Sequence, residues 1–239
     1  MKQNTRGTVL IKESHSYFTS DIAMPTNSYI HDEAIAVKLV PYAVSKRVLD
    51  ILVSIIVIIL LSWLFILVAI IVKITSPGEI IFKQTRIGKG GRKFTCYKFR
   101  SMYKDAEKRK QEIAHLNEAS GPVFKIKSDP RITRFGSFIR KTSIDELPQL
   151  FNVLKGEMSL VGPRPPLPDE VACYNLYQTG RLAIKPGITC LWQISGRSNV
   201  SFDSWVELDL AYIETMSFQK DIEILLKTIP AVLSGRGAQ

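Results

Sequence analysis

The sequence predicts a mostly helical α+β fold: an N-terminal membrane helix that re-enters, then a small cytoplasmic domain with interfacial amphipathic helices and a short β-hairpin. Three observations carry this expectation. Residues 51–72 read ILVSIIVIILLSWLFILVAIIV, 22 residues without a charge. Two β-type runs, 79–84 and 93–97, flank the glycine-rich turn Gly88-Lys89-Gly90-Gly91. Two stretches, 132–141 and 218–233, place apolar side chains at helical spacing.

Taken in order, residues 1–44 are polar and irregular and read as a tail or peripheral arm. Residues 45–74 form the membrane helix or helical hairpin, and 75–239 the cytoplasmic domain. At ~1.5 Å per residue the apolar run is roughly 33 Å long, enough for a ~30 Å hydrocarbon core. It is no signal peptide, because some fifty residues precede it and no small-residue cleavage site follows. Lys46 and Arg47 flank it on one side; Lys73, Lys83, Arg86, Lys89, Arg92 and Lys93 flank it on the other. The positive-inside rule wants both flanks in the cytoplasm, which a segment that turns back satisfies and a simple span does not. Asp50 at the segment's mouth suits a position near head groups.

Ser76-Pro77-Gly78 ends the helix, and the hairpin follows. Residues 104–119 are charged and read as a helix. In 132–141, Ile132, Phe135, Phe138 and Ile139 share one face, suited either to the membrane interface or to the domain core. The last stretch, 218–233, is interrupted at Pro230.

Composition narrows the partners. The formal net charge of +10 favours polyanions, whether nucleic acid, anionic lipid or phosphorylated substrates. The charge gathers around the apolar segment and no aromatic-basic RNA motif accompanies it, so no nucleic-acid partner is expected. Cys96, Cys173 and Cys190 are far apart and form neither a zinc motif nor a disulfide framework.

The chemistry centres on Asp145-Glu146, followed by Leu147-Pro148. Proline sits best in a helix's first turn, so a helix start is expected near residue 144 or 145. One reading is structural: Asp145 as an N-cap, or Ser143 and Glu146 as a capping box. The other is chemical: two carboxylates beside an anion-binding helix start, one attacking phosphorus and one holding a divalent metal. Pro163, Arg164 and Pro165 form a stiff loop that is a poor phosphate nest, leaving Arg164 as its anion-binding group. On a strand, Lys98 and Arg100 would share one face. Arg197 in Ser195-Gly196-Arg197 offers a further cation, and Asp209 a carboxylate in an otherwise apolar region.

KRVLD at 46–50, the apolar hairpin, YKFRSM at 97–102, IRKTSIDELPQLFNVLKGEMSLVGPRP at 139–165, KPGITCLWQISGR at 185–197 and ELD at 207–209 together resemble the bacterial sugar transferase family, the monotopic polyprenyl-phosphate phosphoglycosyl transferases. The likeness runs from about residue 46 to residue 233. It implies that Asp145 is the nucleophile that attacks the sugar-bearing phosphorus of a UDP-sugar, releasing UMP. It implies that Glu146 helps bind Mg²⁺, that Arg140 binds phosphate, and that Pro163, Arg164 and Pro165 shape the nucleotide pocket. Polyprenyl (undecaprenyl) phosphate then takes the sugar phosphate, starting exopolysaccharide, capsule or O-antigen synthesis. The implied location is the inner (plasma) membrane, among its lipids, with the domain on the cytoplasmic face; a homo-oligomer is compatible with it. A catalytically inactive membrane scaffold of a polysaccharide assembly complex is the alternative. Where such proteins usually carry Ser-Pro midway along the membrane segment, this chain has Ser62-Trp63, so a straight span stays open. Larger members also carry extra membrane helices and a soluble domain, which makes this chain resemble a minimal form.

Overall fold

The computed structural model describes residues 33–195 and 201–234. Residues 1–32 and the expected substrate cation Arg197 lie outside them. The chain is a mostly helical α+β protein with two small two-stranded sheets.

Helix α1 spans Glu33–Leu60 and α2 spans Ser62–Thr75. Residues 33–44, expected within the irregular tail, therefore already belong to the helix. Between α1 and α2 the backbone of Leu61 leaves helical geometry (φ −99°, ψ 11°), and the axes of the segments Tyr42–Leu60 and Ser62–Thr75 differ by 63°. The bend falls at Ser62-Trp63 without a proline. Among the described residues no single helix is long and apolar enough to cross a membrane, but this bent pair has the required length and composition.

Both arms rest on the same domain, which accounts for the bend. In α1, Arg47 donates to the Val153 and Leu154 carbonyls (2.6 and 2.8 Å). Lys46 pairs with the buried Asp221 at 2.8 Å. Asp50, expected near head groups, is buried instead and accepts from Ser159 Oγ and the Leu160 N–H. In α2, Val68 and Val72 pack with Phe99 and Ile139. The outer faces carry exposed Leu52, Ile56, Ile59, Leu60, Trp63, Ile66 and Ile70. An apolar surface of this extent marks a membrane or protein contact.

The hairpin is antiparallel: β1 (Ile81–Ile87) against β2 (Lys93–Phe99), the first starting two residues later and ending three later than the sequence suggests, the second ending two later. Residues 104–119 are turns and short 3₁₀ pieces rather than a helix. Only Ala106 in that segment is buried, and without a packed face helical propensity alone is marginal. Helix α3 (Arg134–Lys141) buries Ile139 and tucks Phe135 against the α2 cluster, but leaves Phe138 55% exposed. Its apolar face is thus divided between core and surface.

Helix α4 (Gln149–Lys155) ends at Gly156 in left-handed geometry (φ 82°). Strand β3 (Ser159–Val161) then pairs in parallel with β4 (Gly187–Thr189). Gly162 and Gly187 let these two backbones meet, since a Cβ on either would strike the other's main chain. Short helices α5 (Pro168–Ala172), α6 (Leu176–Thr179) and α7 (Leu191–Ile194) connect to α8 (Phe202–Thr215) and α9 (Phe218–Leu233). Helix α9 runs through Pro230 rather than stopping there. The main core gathers Leu150, Val153, Met158, Val161, Tyr212 and Ile224; a second cluster stacks Trp192 on Trp205 (centroids 4.4 Å apart).

Candidate active site

Asp145 and Glu146 lie in a single 3₁₀ turn, Ile144–Glu146, between α3 and α4. Local chemistry explains the tight winding. Pro148 has no N–H to give the Ile144 carbonyl, so Leu147 takes it in an i→i−3 bond of 3.2 Å. Ser143 before the turn holds φ 55°, the one positive φ outside glycine among the described residues. Backbone held in this region is commonly found where structure serves a site.

The capping readings fail. The Ser143 hydroxyl makes no cap bond, and α4 begins only at Gln149, with Pro148 ahead of it. A 3₁₀ turn does start at Ile144, where a helix start was expected, but Asp145 lies inside it and does not cap α4. Side chains supply the local positive field. Lys98 on β2 places Nζ 2.6 Å from Glu146 Oε1. Arg140, at the end of α3, acts on Asp145 by charge.

The two carboxylates are pushed in opposite directions. Burial raises the Asp145 carboxyl to about 6, with the Glu146 charge adding to it and Lys98 and Arg140 opposing. Burial also acts on Glu146, but the Lys98 charge and hydrogen bond, helped by Arg164 and Arg86, hold it below the usual glutamate range. Adjacent acids kept apart in this way take different roles.

The proline loop is fixed from three sides. The Pro163 carbonyl accepts from the Gly187 N–H (2.9 Å), Pro165 from Arg86 (2.8 Å) and Pro166 from the Ile87 N–H (3.0 Å). Arg164 Nη1 reaches Glu170 Oε2 at 3.2 Å, while its side chain stays partly exposed. Glu170 is buried and also accepts from the Leu167 N–H. Arg86, which the sequence presented only as one of several flanking cations, is a buried member of this group, gripped by Gln84 Oε1. Burial, and then the charge of Arg164, pulls its guanidinium down to about 10. The partly exposed Arg164 beside the buried Arg86 concentrates positive charge at this loop, which favours a polyanion.

Other expected residues sit elsewhere. Arg100 does not join Lys98; it lies just past β2 and donates to the Ser76 carbonyl, closing the end of α2. Asp209 is 1% exposed and locked to Arg181 (2.6 Å), so it faces a structural partner rather than an open pocket. Asn152, unremarked in the sequence, is fully buried and ties β2 to α4 through the Tyr97 N–H and the Thr95 carbonyl. It fixes the strand that carries Lys98 against the helix that follows Glu146.

Among the described residues no group of three or more acidic, histidine or cysteine side chains could cage a metal. Asp145 and Glu146 instead suit the mode usual for Mg²⁺, one or two carboxylates completed by substrate phosphates and water.

Residues 41–235 match the model of the bacterial sugar transferases. The chain is 56% identical over 163 residues to the galactosyl transferase CpsE of Streptococcus agalactiae, covering 68% of this chain and 36% of that protein. It is 44% identical to the exopolysaccharide production protein ExoY of Sinorhizobium fredii, covering 82% of this chain and 88% of that one. It is 46% identical to the undecaprenyl-phosphate galactose phosphotransferase of Salmonella typhimurium, covering 81% and 41%. The chain thus spans nearly all of the shorter relative and well under half of the longer ones. With the paired acids, the rigid Pro-Arg-Pro loop and the bent apolar helix inside the matched region, the chain belongs to the bacterial sugar transferase family.

Proposed function

We propose that this chain transfers a sugar-1-phosphate from a UDP-sugar to undecaprenyl phosphate by way of a covalent bond to Asp145. The observation that carries the reading is the pair of adjacent carboxylates in opposite electrostatic settings, under Lys98, Arg140, Arg164 and Arg86. Glu146 stays ionised and holds a position. Asp145 ionises near neutrality and keeps the basicity a nucleophile needs.

In the first step an Asp145 carboxylate oxygen attacks the sugar-bearing phosphorus. The bond from that phosphorus to the bridging oxygen breaks, and UMP leaves with the oxygen and its electron pair. In the second step a phosphate oxygen of the lipid attacks the same phosphorus. The Asp145 carboxylate departs unchanged, and the product is the lipid diphosphosugar. Arg164 receives the nucleotide phosphates, with the buried Arg86 behind it adding positive charge. Mg²⁺, held by Glu146 with or without Asp145, supplies charge neutralisation to the diphosphate when bound. Lys98 orients Glu146 for that task.

The apolar bent pair is assigned to the cytoplasmic leaflet of the plasma membrane, entering and leaving on one face. Support comes from the attachment of both arms to one domain: Lys46 and Asp50 at one end, Val72 and Ser76 at the other. The relative named for exopolysaccharide production supports a product destined for surface polysaccharide synthesis.

Acceptor-free UMP release tests the chemistry. Purified protein with a panel of UDP-sugars and Mg²⁺ should give a burst of UMP equal to the enzyme present before any lipid is added. No burst, with product formed only when both substrates are present, would point to direct transfer. No UMP under any condition would leave the inactive scaffold.

A further inference from the structure

We infer that the apolar cavity under the helix bend receives the isoprenoid chain of the acceptor lipid, drawing it from the leaflet to the carboxylate pair. This rests on the transfer reaction proposed above and adds a location for its second substrate.

The cavity has a volume of about 310 Å³. Val57 and Leu61 of the α1 arm, Leu64 of α2, Ile188 of β4, Ile194 of α7 and Val232 of α9 contribute to its wall. That volume is at the lower end of the range for ligand sites. Its few polar groups are largely occupied: the Thr189 and Thr228 hydroxyls bond each other at 2.7 Å, and Gln193 Oε1 accepts from the Cys190 N–H.

Its wall joins two unlike regions. It includes Ser143 and Glu146, the latter bonded to Lys98. It also includes Leu61 at the bend, whose neighbours Leu60 and Trp63 are 65% and 62% exposed. A mostly apolar wall that holds a charged pair as well as the residues of the bend is complementary to one kind of molecule, a hydrocarbon chain with an anionic head. A nucleotide sugar does not fit this description, because its hydroxyls and base would lie unpaired against hydrocarbon. The bend also explains the cavity: Val57 and Leu64 lie on the two sides of the 63° break at Leu61, and all three line it.

Two experiments test the assignment. The first compares undecaprenyl phosphate with a two-isoprene phosphate as acceptor, in wild type and in Ala231→Trp, which fills the cavity from α9. Wild type should favour the long chain. In the variant the long-chain rate, taken relative to acceptor-free UMP release in the same preparation, should fall at least tenfold, and the long-chain preference should shrink with it. An unchanged preference in a variant of unchanged unfolding temperature overturns the inference. The second experiment does not depend on a bulky variant folding. A photoreactive undecaprenyl phosphate, with its reactive group in the first isoprene units, should label residues 57–64, 188–194 and 228–232. Labelling confined to the outer face at Ile66, Ile70 and Ile74 overturns it, as does equal labelling of the cavity by a phosphatidylglycerol photoprobe that undecaprenyl phosphate does not displace. Absence of acceptor-free UMP in wild type would sink the proposed chemistry, while the photolabelling pattern still reports on the cavity.

Discussion

Lys98 Nζ lies 2.6 Å from Glu146 Oε1, and the Lys98 charge is also the largest influence opposing the upward shift of Asp145. One ammonium therefore serves two carboxylates. Lys98→Met should raise the pH at which acceptor-free UMP release reaches half its maximum by about one pH unit or more, the range for loss of a close opposite charge. Lys98→Arg should restore the profile. An unshifted profile in Lys98→Met would confine Lys98 to a structural role.

Asp145→Asn should abolish the UMP burst without unfolding the protein. It should also stabilise it in a pH-dependent way. A carboxyl raised from 3.8 to about 6 binds its proton more tightly folded than unfolded, so its cost to stability is absent below 3.8, grows between those values and is full above about 6. Asn carries no such cost. The variant should thus match wild type near pH 3.5 and exceed it at pH 7 by at most roughly 3 kcal/mol. Urea midpoints at the two pH values check this, and a variant less stable at pH 7 contradicts it.

Arg164→Lys should weaken UDP-sugar binding. A point charge cannot reproduce the planar fork that reaches Glu170 from a partly exposed position. The expected loss is about 1.5–3 kcal/mol of substrate interaction, read as a higher KM for the UDP-sugar. Wild-type kinetics in this variant would reduce the loop to a turn.

Arg181→Met should destabilise the domain by about 3–5 kcal/mol, because it strands the buried Asp209 carboxylate. Asp209→Leu added to it should recover much of that loss, and UMP release should follow stability rather than vanish. If the double variant folds well but releases no UMP, Asp209 belongs to the substrate site after all.

Cysteines placed at Val44, which is 61% exposed, and at the exposed Lys89 should behave alike towards an impermeant thiol reagent: protected in intact cells, labelled in inverted vesicles. The exposed native Cys173 must first be replaced by Ser. Labelling of one position and not the other in intact cells would show a true span.

The hairpin, the apolar segment and the break at Ser76-Pro77-Gly78 were legible because period, glycine and proline act locally. So were the carboxylate pair and the Pro-Arg-Pro loop, whose spacing is unusual in itself. That the segment turns back was legible in its basic flanks, but the place of the bend at Leu61 was not, since it comes from two arms docking on one domain rather than from a residue that breaks helices. Arg86 hid among flanking cations because its burial depends on the Pro165 carbonyl, 79 residues away. Asp209 and Arg100 misled in the same manner: each had a nearer structural partner that only the folded chain brings into reach. Asp145 looked like a cap because sequence cannot show that Pro148 winds the turn before it into 3₁₀ form.

Asp221 gathers Tyr42 and Lys46 from the first helix and Tyr212 from the eighth, joining positions up to 179 apart in the chain. During synthesis the apolar arm is therefore finished long before the carboxylate that latches it exists. On the proposed membrane placement, the arm can settle into lipid over that interval while the domain is still being made, and α9 then fastens it. The order of manufacture would then set the order of attachment, lipid before domain. A chain stopped before residue 218 would lack that latch, leaving this end of the arm the bonds of Arg47 and Asp50 and those of Tyr42 and Lys46 to Tyr212.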